Sequence, residues 1–163
     1  MNLHPIFVHF PIALLTIYAL AELLQIKRLQ DWPPFFYIKA TFSILGTLGS
    51  FAAAATGLMI DSQFSVGEAA KLVQTHKTLA LITISIFLVI ALVYLISWLR
   101  RAGKPLPPPL LSLERLFIEK KLIILFALIG LFAVTITGAL GGAIAFGPDI
   151  DPAARFFYNL LVK

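Results

Sequence analysis

Three histidines carry most of the chemistry open to this chain. His4 and His9 stand in the opening segment His4-Pro5-Ile6-Phe7-Val8-His9-Phe10-Pro11, and His76 stands just before a long apolar run. Imidazole nitrogens bind metals and haem iron, and near neutral pH they carry protons. At membrane depth an imidazole is costly unless a partner or a ligand holds it. The 163 residues contain no cysteine, which excludes disulfides, thiolate metal sites, iron–sulfur ligation and c-type haem attachment. There is no Ser-His-Asp order, no pair of catalytic carboxylates, no phosphate loop and no internal repeat, so nothing points to hydrolysis.

The elements that must position the histidines are membrane helices. The chain is 60% hydrophobic and 13% charged, against about 25% charged in soluble domains, and its mean hydropathy is +0.94. Four apolar blocks each approach or exceed the ~20 residues that cross a bilayer. They fall at about 5–26, 35–60, 78–99 and 122–146, within one domain covering 1–163. The first block has no basic flank before it and no small-residue cleavage site after it, and is read as a retained helix.

Between the blocks, Asp31-Trp32-Pro33-Pro34 forms a tight turn with an interfacial Trp. Residues 61–75 read as a polar connection, in which Ala69, Leu72, Val73 and His76 share one helical face. Gly103 to Pro109 reads as a polyproline-type linker, with Ser112 capping a short helix that runs to Glu119. Asp151-Pro152 reads as the cap and first turn of an interfacial helix over about 152–162. The fold class expected is all-α: an integral-membrane four-helix up-down bundle with short interfacial helices.

Charge orients it. The 27–39 and 100–121 connections hold nine basic residues and the opposite side only Lys71, Lys77, Arg155 and Lys163. The positive-inside rule then puts both termini outside. The net charge of +5 is thus a topology signal and not a nucleic-acid face.

This topology levels all three histidines near the outer face. Helices one and three of an up-down bundle are diagonal, about 14 Å apart when neighbours are ~10 Å apart. That gap is wide for a bare zinc with Zn–N bonds of ~2.0–2.1 Å, but suits a haem with one axial histidine from each helix. His9 and His76 are the favoured iron ligands. His4 lies about 140° from His9 round an ideal helix and is expected to stand behind the ligands, unless Pro11 loosens the turn between them. The plainer alternative is that His4 caps or is solvated and that the others bond to backbone.

Small residues mark packing seams: Gly49, Ala53 and Gly57, with Gly46, Ser50 and Ala54, in the second block, and Gly138 and Gly142 with Gly141 and Ala145 in the fourth. Gly138 and Gly142 also leave room for a flat ligand. Glu22 is expected to form a surface ion pair with Lys27 or Arg28. Asp61 and Asp149 end their helices in solvent, and Thr135 and Thr137 bond back within theirs.

The opening stretch His4-Pro-Ile-Phe-Val-His9-Phe-Pro11-Ile-Ala-Leu resembles the HPxxVHFPIAL signature of domain-of-unknown-function family 2231, a group of bacterial membrane proteins. Thr56-Gly57-Leu58 with Asp61, Thr75-His76-Lys77, and Thr137-Gly138-Ala-Leu-Gly141-Gly142 are similar to that family's second, third and fourth helices. The chain departs from it at Ala145-Phe146-Gly147-Pro148, where the family often carries Tyr-x-His-Gly. Members are sometimes fused to cytochrome c or Rieske domains, so the resemblance implies electron transfer.

The leading expectation is a bacterial inner-membrane protein that holds b-type haem and exchanges electrons with a quinone or a periplasmic carrier. The alternatives are a cofactor-free structural or assembly subunit, working as a homodimer or in a larger membrane complex, and a metal- or proton-linked histidine site.

Overall fold

The computed structural model describes residues 4–59, 67–119 and 121–163, and among these it contains helices and no strand. The elements are α1 (His4–Leu23), α2 (Lys27–Gln30), α3 (Pro33–Leu58), α4 (Gly67–Arg101), α5 (Pro108–Glu119), α6 (Leu122–Phe146) and α7 (Pro152–Leu161). The helices α3, α4 and α6 are each long and apolar enough to cross a membrane, and α1 is apolar over Phe7–Leu23.

Local chemistry sets the ends. Trp32 is extended, as a residue before proline prefers, and Pro33 and Pro34 occupy the first turn of α3, where no N–H is needed. Lys121 adopts a left-handed φ of 55° and turns the chain from α5 into α6. Asp151 accepts from the backbone N–H of Ala153 and Ala154 at 2.8 and 2.9 Å, capping α7 as the sequence predicts.

The four long helices pack as a ring, with α1 and α4 each lying against both α3 and α6. The diagonals are therefore α1/α4 and α3/α6, the arrangement of an up-down bundle. Leu15, Tyr18, Phe87, Ile90 and Tyr94 fill its centre. At one end α7 closes over Leu72, Leu140 and Ala143 through Ala154, Tyr158 and Val162. At the other, α5 packs against α4 and α6.

Glycine makes the α1–α3 seam close: a Cβ on Gly46 would lie 2.6 Å from Leu15, and one on Gly49 would lie 3.3 Å from Pro11. A Cβ on Gly138 or Gly142 would meet nothing within 4 Å, so these two do not form a tight seam.

Several boundaries differ from the sequence reading. The polar connection before the third block is largely helix, because α4 starts at Gly67 and projects its first turns beyond the apolar run; Leu72 is buried on the face that also carries His76. Pro108 and Pro109 begin α5 and do not extend a linker, since proline is tolerated in a first helical turn. Ser112 is consequently inside α5, donating to the Pro108 carbonyl, and caps nothing. Pro11 leaves α1 continuous from His4 to Leu23. Asp61 lies outside the described residues.

Candidate functional site

One buried stripe runs the length of α1. Pro11, Leu15, Tyr18, Ala19 and Glu22 are buried on it, and His4 and Val8 are half-buried at its start. His4 and Glu22 are eighteen residues apart, five turns of 3.6, so they share one face about 27 Å apart along the axis. On the diagonal helix α4, His76 and Tyr94 are also eighteen residues apart, with Thr83, Phe87 and Ile90 buried between them.

The two stripes meet. Tyr94 donates a hydrogen bond to Glu22 Oε2 across the diagonal, a separation of 72 residues. The same offset separates His4 from His76, so the bond that levels Glu22 with Tyr94 also levels the histidines.

At the Glu22 end the carboxylate is 4% exposed. Besides Tyr94, it accepts from Tyr18 at 3.4 Å and from Lys39 Nζ at 3.4 Å to Oε1, with Nζ 3.3 Å from Oε2. Lys39 also donates to Gln30 Oε1 at 3.2 Å and lies 5.1 Å from the Phe35 ring centre. The Tyr18 and Tyr94 rings meet edge to face at 5.6 Å. One carboxylate and one ammonium cancel, so the network buries no net charge. Nearby on the same end of α4, Ser97 Oγ donates to Glu114 at 2.8 Å and Arg100 pairs with it at 3.0 Å, which anchors α5 through a carboxylate 2% exposed.

At the histidine end the ring nitrogens are fixed in place. His76 Nδ1 lies 3.0 Å from the Thr137 carbonyl, which can only accept, so Nδ1 carries the proton. His4 Nδ1 lies 3.1 Å from Thr56 Oγ1, whose own hydrogen goes to the Ala53 carbonyl. For His76 this leaves Nε2 as the basic nitrogen, while Thr56 holds the His4 ring through Nδ1. Burial lowers the His4 pKa and so favours the neutral ring, against the opposing pull of its bond to the Ala53 backbone. Each ring is seated on a glycine: a Cβ on Gly57 would lie 3.1 Å from His4 Cε1, and one on Gly141 would lie 3.3 Å from His76 Cε1. Thr83 and Thr137 hydroxyls are 3.0 Å apart just below, where Thr137 turns to α4 and makes no bond to its own helix. Thr135 does bond back, to Leu131, as expected.

On the buried stripe of α1, level with His76, stands His4 and not the expected His9. His9 is on the exposed face of α1, because an unbroken helix turns it about 140° from the buried stripe. Gly141 touches the site, whereas Gly138 and Gly142, the glycines given a cofactor role by sequence, have open space beside them. Among the described residues no three His, Cys, Asp or Glu side chains converge as a metal site. Glu22 is the largest correction: it is buried against Lys39, Tyr18 and Tyr94, while Lys27 and Arg28 are exposed. The signal for it was present in the sequence, in the eighteen-residue phase that links Glu22 to His4. Asp149 is exposed as expected, within 3.4 Å of Arg155.

The family described as a predicted membrane protein, DUF2231, matches residues 1–151. The chain belongs to this family. The match covers all four long helices and the histidine and Glu22 ends alike. No curated protein and no solved structure matches the chain.

Proposed function

We propose that this DUF2231 protein is a membrane-embedded redox protein in which His4 and His76 are the axial ligands of a b-type haem. The observation that carries this reading is the levelled pair: two imidazoles from diagonal helices, each held at Nδ1 by a bond to a neighbouring helix. A second bond of this kind is what fixes the ring and raises the basicity of a ligating histidine. Thr56 orients one ring and the Thr137 carbonyl the other.

The donor set fits haem better than a bare ion. Two imidazoles supply half the four ligands that zinc ordinarily takes, and no third ligand joins them among the described residues. A haem brings four nitrogens of its own and asks the protein for two. When bound, it supplies reversible one-electron transfer at its iron. The chain's part is to hold the two nitrogens, to keep the rings neutral by burial, and to surround them with apolar helix. A quinone or a periplasmic carrier is the electron partner in keeping with this reading, in a bacterial inner membrane with both termini outside.

The test is the absorbance of the full chain, expressed with ample haem and purified in detergent. A Soret band is expected, lost in His4→Ala and in His76→Ala and kept in His9→Ala. A chain without the band, or a band indifferent to His4 and His76, overturns the reading.

A specific observation favours a second reading, a cofactor-free structural subunit. The Glu22 network is neutral and complete, and no buried side-chain nitrogen or oxygen among the described residues lacks a partner. Such a core needs no ligand to hold its shape. This reading expects no chromophore and co-purification with a defined membrane complex.

A further inference from the structure

We propose that the outer face of α3, beside its Pro33-Pro34 turn, is a binding site for one anionic phospholipid. An open groove of about 420 Å³ lies there, lined by Pro33, Pro34, Tyr37, Ile38, Thr41 and Phe42. Its walls are almost wholly apolar and it faces away from the bundle core, so in a membrane protein it opens to the acyl chains.

Through Tyr37 an aromatic and cationic cluster adjoins the groove. Tyr37, which lines it, packs edge to face on Trp98 of α4 at 5.4 Å and on Phe36 at 5.2 Å. The Arg101 guanidinium lies 4.0 Å from the centre of that Phe36 ring. Trp32, at the adjoining turn, is half exposed. Trp and Tyr at this level mark the headgroup boundary, and a stacked arginine keeps all its N–H donors for a phosphate. Lys104 and, on α2, Lys27 and Arg28 add exposed positive charge to the same end of the bundle.

Charge and shape thus commit the site to one occupant: a diacyl lipid whose chain lies in the groove and whose phosphate meets Arg101. A zwitterionic lipid fits the groove but brings its own ammonium to the arginine. A soluble phosphate meets the arginine and leaves the groove bare. The inference stands apart from the haem reading, since no histidine takes part in it.

The test is native mass spectrometry of the full chain, released from detergent after equilibration with phosphatidylglycerol or phosphatidylcholine. One retained phosphatidylglycerol is expected, favoured over phosphatidylcholine by about fivefold, the factor expected for one basic residue at a lipid surface. Arg101→Gln should remove the preference, and Thr41→Trp should remove retention of both lipids by filling the groove. Arg155→Gln, at the opposite end, should change neither. Should Thr41→Trp fail to fold, Ile38→Trp fills the same groove from an exposed position. Equal retention of the two lipids, a preference that survives Arg101→Gln, or displacement of the lipid by glycerol phosphate would each overturn the proposal.

Discussion

Glu22 on α1 and Tyr94 on α4 are joined by a hydrogen bond at an offset of 72 residues, and this bond sets the register of two parallel helices that do not otherwise lie side by side. Because His4 and His76 stand at that offset too, one polar contact near one end of the bundle decides which residues face one another at the far end. A one-turn slip would carry Glu22 away from the Tyr94 hydroxyl and leave the buried carboxylate one donor short. The network is best understood as a device of specificity, since a buried pair often adds little stability over an apolar one of the same shape.

That view makes a first prediction. Glu22→Gln or Lys39→Met alone strands a buried charge and should lower stability by ~3–5 kcal/mol. The double variant removes both charges and should recover much of the loss. Thermal unfolding in detergent measures the cycle. Additive losses in the double variant would mean that the two charges are not each other's partners.

How much of this was legible beforehand depends on the residue. The all-helical class and the start of α3 follow from apolar block length and from the Trp32-Pro33-Pro34 turn, which local chemistry governs, whereas the early start of α4 at Gly67 does not. Depth and phase pull apart at the histidines: His9 lies deeper in the apolar run, but the phase shared by His4, Leu15, Tyr18 and Glu22 decides which side of α1 turns inward. Glu22 was misassigned because Lys27 and Arg28 are near in sequence, whereas Lys39 reaches it only after the chain has reversed through α2. The start of α5 was missed because a proline run reads as a linker until its first prolines are placed in a helical first turn.

The glycines give a second prediction through their contrasting surroundings. A Cβ on Gly130 would lie 2.8 Å from Cζ of Phe87, a ring with no exposure and no room to move. Gly130→Ala should therefore cost ~1–3 kcal/mol. Gly142→Ala meets open space and should be neutral or stabilising by up to ~1 kcal/mol, since alanine favours helix over glycine. Equal melting temperatures for the two variants would contradict this packing.

A third prediction concerns acid. Burial lowers the His4 pKa in the folded chain, so the unfolded chain takes up the proton more readily. The His4 contribution to stability is complete above the unfolded value of ~6.5 and falls as pH drops below it. Melting temperature should decline from pH 8 to pH 5, and His4→Gln should flatten that decline. An identical slope in the variant would remove His4 from the titration, leaving His76 to account for it.

Orientation yields a fourth prediction, and the composition makes it simple to test. With no native cysteine, a single introduced thiol reports its own side of the membrane. Lys27, Arg28, Arg100, Arg101 and Lys104 gather at the Glu22 end, whereas the exposed cations described at the histidine end are fewer. The positive-inside rule turns that excess toward the cytoplasm. In intact cells an impermeant maleimide should label Asp149→Cys at the histidine end and spare Arg28→Cys until the membrane is opened. The reverse pattern would place the histidine pair on the cytoplasmic side, and with it any electron partner that His4 and His76 serve.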